Sequence, residues 1–141
     1  MPDVEKTIRI AAPPDRVWDV WMNVEHWADW TASITSIQRL DAGPLAVGSR
    51  VRILQPKLRP AVWRVTQLEV CRNFTWRSGI PGLNVFGSHI VEPEGQGSLV
   101  TLTVQFKGLF GRLAARAFRK LNEEYVGMEG AGLKRQCEEQ I

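Results

Sequence analysis

The feature that most constrains this chain is one long amphipathic pattern, which runs from about Leu109 to Glu139. When successive residues from Phe110 are placed about 100° apart, the apolar side chains fall within an arc of roughly 140°. A helix of this length would extend roughly 45 Å, which is enough to cross a whole sheet. The residues on this apolar arc are Leu113, Ala114, Ala117, Phe118, Leu121, Tyr125, Met128, Ala131 and Gly132.

Seven segments before this helix alternate apolar and polar residues, which is typical of half-buried strands. Clusters of Gly, Pro, Asn and Asp separate them at short, regular intervals, and this spacing predicts an antiparallel meander. A sheet with one apolar face must be covered, and the long helix is the only cover available. The segments lie at 4–12, 33–41, 48–55, 61–70, 73–79, 84–93 and 98–108.

These elements predict an α+β fold with a curved, seven-stranded antiparallel sheet wrapped around the C-terminal helix. Two short helices are expected after the first strand, broken near Met22 to Val24, and Asn23 could cap the second of them. No linker or change of composition divides the sequence, so we expect one domain over residues 1–141. Its length suits a single core.

Four of the six tryptophans lie between residues 17 and 30, in the stretch "VWDVWMNVEHWADW". The stretch contains three acidic residues and no lysine, whereas a base-stacking platform needs a basic groove beside its aromatic rings. We therefore interpret these rings as a hydrophobic plug that seals one end of the sheet. The alternative is that one ring, Trp30, reaches the mouth of a cavity.

Composition narrows the classes of partner and cofactor. A net charge of +3, from 18 basic and 15 acidic residues, is too small to indicate a nucleic-acid binder. No apolar run approaches the roughly 18 residues of a membrane span, and the first residues lack a secretory signal, so we expect a cytoplasmic protein. With two histidines, two unpaired cysteines and no acidic cluster at ligand spacing, we expect neither a metal nor another cofactor.

Particular motifs resemble those of one superfamily. The motifs are "IAAPPDRVWDVWMNVEHWADW", "GSRVRILQP", "AVWRVTQLE", "FTWRSG" and "VTLTVQFKG", and together they extend over nearly the whole chain. In their order and composition they resemble the START-like, or Bet v 1-like (SRPBCC), superfamily with the helix-grip fold, and most closely its polyketide cyclase/dehydrase-like branch. The resemblance implies an internal cavity for a small, largely apolar molecule; the fold alone does not imply an enzyme.

Three aromatic residues on successive strands could line such a cavity from the sheet. Alternation places Trp63, Phe74 and Trp76 on one face, where they would be either core residues or part of a binding site. His89 shares its strand face with Val85, so it could also point inward. The long helix would present further residues opposite them. Together, the expected ligand-binding residues are Trp63, Phe74, Trp76, His89, Phe118, Leu121, Tyr125 and Met128.

Only two of these residues are candidates for chemistry, and both have a simpler interpretation. Tyr125, the chain's only tyrosine, needs a hydrogen bond if it is buried, either from the protein or from a ligand. His89 could be a general acid or base, or a hydrogen-bonded core residue. The chain contains no GxSxG, HExxH, P-loop or GxGxxG motif. We therefore favour binding or transport of a small hydrophobic ligand, with a polyketide cyclase or dehydratase as the alternative.

A basic run lies on the polar side of the long helix. Such a run is usually a solvated face, but it could also dock to an anionic membrane or to another protein, where each charge would contribute about 1 kcal/mol. A third hypothesis therefore makes this face the functional one, with the cavity filled by side chains. The basic residues are Arg112, Arg116, Arg119 and Lys120.

Overall fold

A computed structural model describes residues 2–139, and it confirms the predicted order of elements. Among these residues, no helix is both long enough and apolar enough to cross a membrane. The strands are β1 (Val4–Ile10), β2 (Ser36–Arg39), β3 (Arg50–Leu54), β4 (Ala61–Glu69), β5 (Asn73–Ile80), β6 (Leu83–Glu94) and β7 (Gly97–Lys107). The helices are α1 (Pro14–Met22), a 3₁₀ helix (Val24–Asp29) and α2 (Gly111–Glu139).

The seven strands form one antiparallel sheet in the order β1-β7-β6-β5-β4-β3-β2. From β2 to β7, each strand pairs with the strand that follows it in sequence. The remaining strand, β1, forms an edge of the sheet by pairing with β7, from Val4 opposite Val104 to Ile10 opposite Ser98. A shift in register between Val65 and Gln67 interrupts the alternation in β4. An extra residue at this point bends the strand and turns Glu69 to solvent, where its carboxylate needs no buried partner.

Two glycines let the second half of α2 lie against the rest of the fold. A Cβ atom on Gly132 would overlap the carbonyl oxygen of Trp30, and one on Gly130 would lie 2.8 Å from Cδ1 of Ile8 on β1. Leu133 and Cys137 follow on the same side and are fully buried. The absence of side chains at these two glycines therefore fixes how closely the helix approaches the 3₁₀ helix and the sheet edge.

The buried face of α2 differs in part from the predicted apolar arc. Leu113, on the expected apolar arc, is 68% exposed, and Ala117 and Ala131 also face solvent. The helix is rotated because its small residues pack most closely, and a hydrophobicity pattern gives such residues little weight. The buried positions of α2 are Gly111, Ala114, Tyr125, Val126, Gly130, Gly132, Leu133 and Cys137.

The tryptophan-rich stretch forms the predicted plug at one end of the sheet. Trp21 and Trp27 are fully buried, and the indole N–H of Trp27 donates to the carbonyl oxygen of Trp21 at 3.1 Å. Both rings pack against Phe74 on β5, with centroid distances of 5.8 Å and 6.2 Å. Asn23 lies between the two helices, but its side chain does not cap the second one, so that expectation is wrong.

Alanine substitutions in α2 test the role of the close approach. We expect Gly132→Ala to lower the free energy of unfolding by about 2 kcal/mol, because the new methyl group meets backbone that cannot move aside. Gly127 is a matched control, since a Cβ there meets nothing within 4 Å. Gly127→Ala should raise the stability by up to about 1 kcal/mol through helix propensity. Urea denaturation measures both values, and equal effects at the two positions would contradict this account.

Candidate functional site

A cavity of about 570 Å³ lies between the concave face of the sheet and α2. Alternate residues of the strands face it, and so do helix positions spaced three or four apart, namely Phe118, Asn122, Tyr125 and Glu129. The cavity reaches the surface where the β3–β4 loop, the end of β5 and the first half of α2 meet. Exposed residues line this mouth, among them Arg59, Pro60, Val62, Ile80 and Phe118.

Two tryptophans form an aromatic wall on the sheet side. The rings of Trp63 and Trp76 lie with their centroids 5.9 Å apart and their planes inclined by 41°. Trp76 pairs with Gly87 across the β5–β6 ladder, and a Cβ on Gly87 would lie only 3.1 Å from the indole nitrogen. Glycine at this position leaves room for the indole ring against β6. The wall offers two flat apolar surfaces to a ligand.

The floor of the cavity contains a histidine that the surrounding rings hold in one orientation. The imidazole of His89 stacks on Phe74 with a centroid distance of 4.0 Å, and only 3% of the residue is exposed. Its Nδ1 lies 3.3 Å from the carbonyl oxygen of Phe74. A carbonyl only accepts, so Nδ1 carries a proton and Nε2 is the nitrogen left for other partners.

Glu129 brings a carboxylate to this histidine from α2. Its Oε1 lies 3.7 Å from Nε2 of His89, and its side chain is only 17% exposed. This separation is longer than a direct hydrogen bond. Both groups line the cavity, so a polar group of a ligand could contact the two of them together.

Tyr125 is satisfied by the protein. Its hydroxyl donates to the carbonyl oxygen of Pro56, so the phenol joins α2 to the β3–β4 loop. Burial raises the pKa of Tyr125 above its ordinary value, and the nearby Glu124 carboxylate raises it further. Of the two alternatives for this hydroxyl, the structure favours a positioning role at the cavity wall over a free donor aimed at a ligand.

The structure brings five of the eight predicted ligand-binding residues to the cavity: Trp63, Trp76, His89, Phe118 and Tyr125. Phe74 is on the predicted strand face but lies deeper, fully buried beneath His89 and Trp76. Leu121 and Met128 are only partly buried and are not part of the cavity wall, because α2 is rotated away from the predicted arc. The tryptophan of the plug that reaches the cavity is Trp27 rather than Trp30.

Sequence reasoning missed Glu129, Asn122 and the loop residues Gln55 and Arg59. Helical spacing from Phe118 and Tyr125 contained a usable signal for the first two, since positions 118, 122, 125 and 129 share one face. The loop residues gave no such signal, because nothing in the sequence indicates that the β3–β4 loop folds over the cavity.

Comparison with protein families identifies the class to which this chain belongs. The model of the family described as polyketide cyclase / dehydrase and lipid transport matches residues 1–138. The match extends over nearly the whole sequence, so the chain belongs to this family, as its motifs predicted. A comparison with curated proteins finds no match.

Solved structures share this fold at low sequence identity. TTHA0849 from Thermus thermophilus is 21% identical with a TM-score of 0.75, and the alignment covers 95% of both chains. The Zhui aromatase/cyclase from a Streptomyces species is 19% identical with a TM-score of 0.76, over 96% of this chain and 92% of that one. Ara h 8.0201 is 14% identical with a TM-score of 0.63, over 92% and 96%. These similarities confirm the helix-grip fold.

The titration of Tyr125 tests its buried environment. Because the chain has a single tyrosine, the phenolate absorbance reports this residue alone. We expect a midpoint above about 10 in the folded protein and a return to about 10 in denaturant. The folded pKa lies above the unfolded one, so the stabilising contribution is present below about pH 10 and is lost as the pH rises through the folded value. A native midpoint at or below the ordinary value would contradict burial.

Proposed function

We propose that this protein binds a small, flat and largely apolar molecule in the cavity between the sheet and α2. The observation that carries this proposal is an open cavity with the Trp63–Trp76 wall on one side and the His89–Glu129 pair at its floor. Its volume lies within the range of about 300–1,000 Å³ that is usual for ligand sites. Membership of the family supports the same class of ligand.

The distribution of polar groups indicates what such a ligand would look like. Most of the side chains that line the cavity are apolar, and the His89–Glu129 pair lies at its floor, where a hydroxyl or carbonyl group of the ligand would be bound. Arg59, in the β3–β4 loop, is exposed at the mouth. We infer a ligand with an aromatic body and an oxygen-containing end that enters first. Buried polar groups that would otherwise lack partners give such a site its selectivity.

A substitution that fills the cavity tests the binding proposal, with 8-anilinonaphthalene-1-sulfonate as the fluorescent probe. Val85 lines the cavity, and Val85→Trp places a large ring in the empty space. We expect at least a tenfold loss of probe affinity, equivalent to about 1.4 kcal/mol. The matched control is Val70→Trp, since Val70 is 71% exposed in the turn after β4. The control should bind like the unaltered protein.

Thermal unfolding of the same proteins is used to check that both variants are folded. Equal probe affinities for a folded Val85→Trp variant and the unaltered protein would show that the probe binds elsewhere. Absence of binding and of any thermal shift across a panel of flat aromatic compounds would overturn the proposal. The third hypothesis expected a cavity filled by side chains, and the open cavity contradicts that part of it. In that case only its other part, a functional basic face on α2, would be left.

A second candidate function, dehydration of a bound β-hydroxy ketone, is favoured by the His89–Glu129 contact. In this reaction the pair would remove the proton from the carbon next to the carbonyl group and deliver a proton to the hydroxyl group. The C–H and C–O bonds break, a C=C bond forms, and water leaves. A general acid or base must reach the reacting atoms, and both groups line the cavity where the ligand would lie.

Variants of the pair separate chemistry from binding, with a bicyclic β-hydroxy ketone as the model substrate. Its dehydration extends the conjugated system and is followed by absorbance. We expect His89→Gln and Glu129→Gln each to lower the rate about a hundredfold while probe binding is retained. Glu124→Gln is the matched control, because Glu124 is exposed on α2 and is not part of the cavity wall. Rates that are equal in all four proteins would exclude the pair from catalysis.

A further inference from the structure

The end of the molecule that contains the cavity mouth exposes a cluster of large apolar side chains. The turn after β5 and the segment before α2 adjoin there, since the backbone N–H of Phe110 donates to the carbonyl oxygen of Gly82 at 2.9 Å. Two members of the cluster, Ile80 and Phe118, also line the cavity. The cluster, called the apolar rim below, consists of Ile80, Leu109, Phe110, Leu113 and Phe118, which are 41–85% exposed.

Positive charge surrounds this rim. Residues 105–121 contain five basic side chains and no carboxylate, and residues 73–91 add Arg77, again without a carboxylate. Two acidic residues adjoin these basic side chains: Glu123 pairs with Arg119 at 3.1 Å, and Asp3 borders a surface depression shared with Arg112 and Arg116. Basic and apolar side chains are thus concentrated at one end of a protein whose total charge is only +3.

We propose that the apolar rim and its basic neighbours form a docking surface for an anionic phospholipid bilayer. A bilayer interface accepts protruding leucine and phenylalanine side chains without a matching cavity, while acidic headgroups attract the basic residues. Leu109 and Leu113 protrude in this way, with 85% and 68% of their surfaces exposed. A second copy of this chain fits less well, because a symmetric dimer through this face would bring together two surfaces of like charge.

The position of the rim links docking to the cavity. Because Ile80 and Phe118 belong to both, a bilayer bound at the rim would lie directly over the mouth. An apolar ligand could then pass from the bilayer to the aromatic wall without crossing water. This delivery rests on the proposed function, whereas the docking can be measured on its own.

Sedimentation with vesicles tests the docking surface. Vesicles of phosphatidylcholine with phosphatidylserine should bind the protein, and vesicles of phosphatidylcholine alone should bind it weakly. We expect Arg112→Gln with Arg116→Gln to lower the partition coefficient about 25-fold, from roughly 1 kcal/mol for each charge. Leu109→Ser with Leu113→Ser should lower it about tenfold. None of these four residues belongs to the cavity wall, so both double variants should still bind 8-anilinonaphthalene-1-sulfonate.

Matched controls carry the same chemical changes elsewhere on the surface. Arg52→Gln with Arg72→Gln removes two exposed charges, and Val70→Ser removes an exposed apolar side chain in the β4–β5 turn, at the opposite end of β5 from the rim. These controls should bind vesicles like the unaltered protein.

Three results would overturn the docking surface. They are no binding to anionic vesicles, equal losses in the rim variants and the controls, or a self-association that Leu109→Ser with Leu113→Ser abolishes. Vesicle binding without entry of the probe into the cavity would support the docking surface while refuting the proposed function.

Discussion

The close contact of α2 with Trp30 and β1 is the constraint on which the rest of the structure depends. Gly130 and Gly132 allow the second half of the helix to lie directly on Ile8 and on the backbone of Trp30. In the first half, most residues from Arg112 to Lys120 are exposed. One end of the helix is thus packed while the other spans the concave sheet, and the cavity is the space that remains beneath it.

A continuous group of aromatic rings connects this packed end to the cavity. Trp21 and Trp27 contact both Phe74 and His89, and Phe74 and His89 in turn contact Trp76. Burying an imidazole among rings is costly unless its polar atoms have partners. The carbonyl oxygen of Phe74 satisfies one nitrogen and Glu129 faces the other. The plug therefore does more than seal the sheet, because it fixes the orientation of the one histidine that lines the cavity.

Much of the fold could be predicted from the sequence because it depends on local patterns. Alternation identified all seven strands, and the proline-led tryptophan stretch identified the two short helices. The rotation of α2 could not be predicted in the same way, because it depends on contacts that Gly130 and Gly132 make with residues about a hundred or more positions away. The same error placed Leu121 and Met128 in the expected site, although neither belongs to the cavity wall. The pairing of His89 with Glu129 depends on this rotation as well, so a pattern read from either element alone could not reveal it.

In the proposed function, an apolar ligand occupies the space beneath α2, in contact with only some of the tryptophans. Six indole N–H resonances in a proton–nitrogen NMR spectrum provide six reporters of this claim. Trp27, Trp63 and Trp76 line the cavity, whereas Trp18, Trp21 and Trp30 do not. On addition of 8-anilinonaphthalene-1-sulfonate, we predict large shifts for the first three resonances and small shifts for the other three. Shifts of similar size in both groups, or shifts in neither, would contradict binding in this cavity.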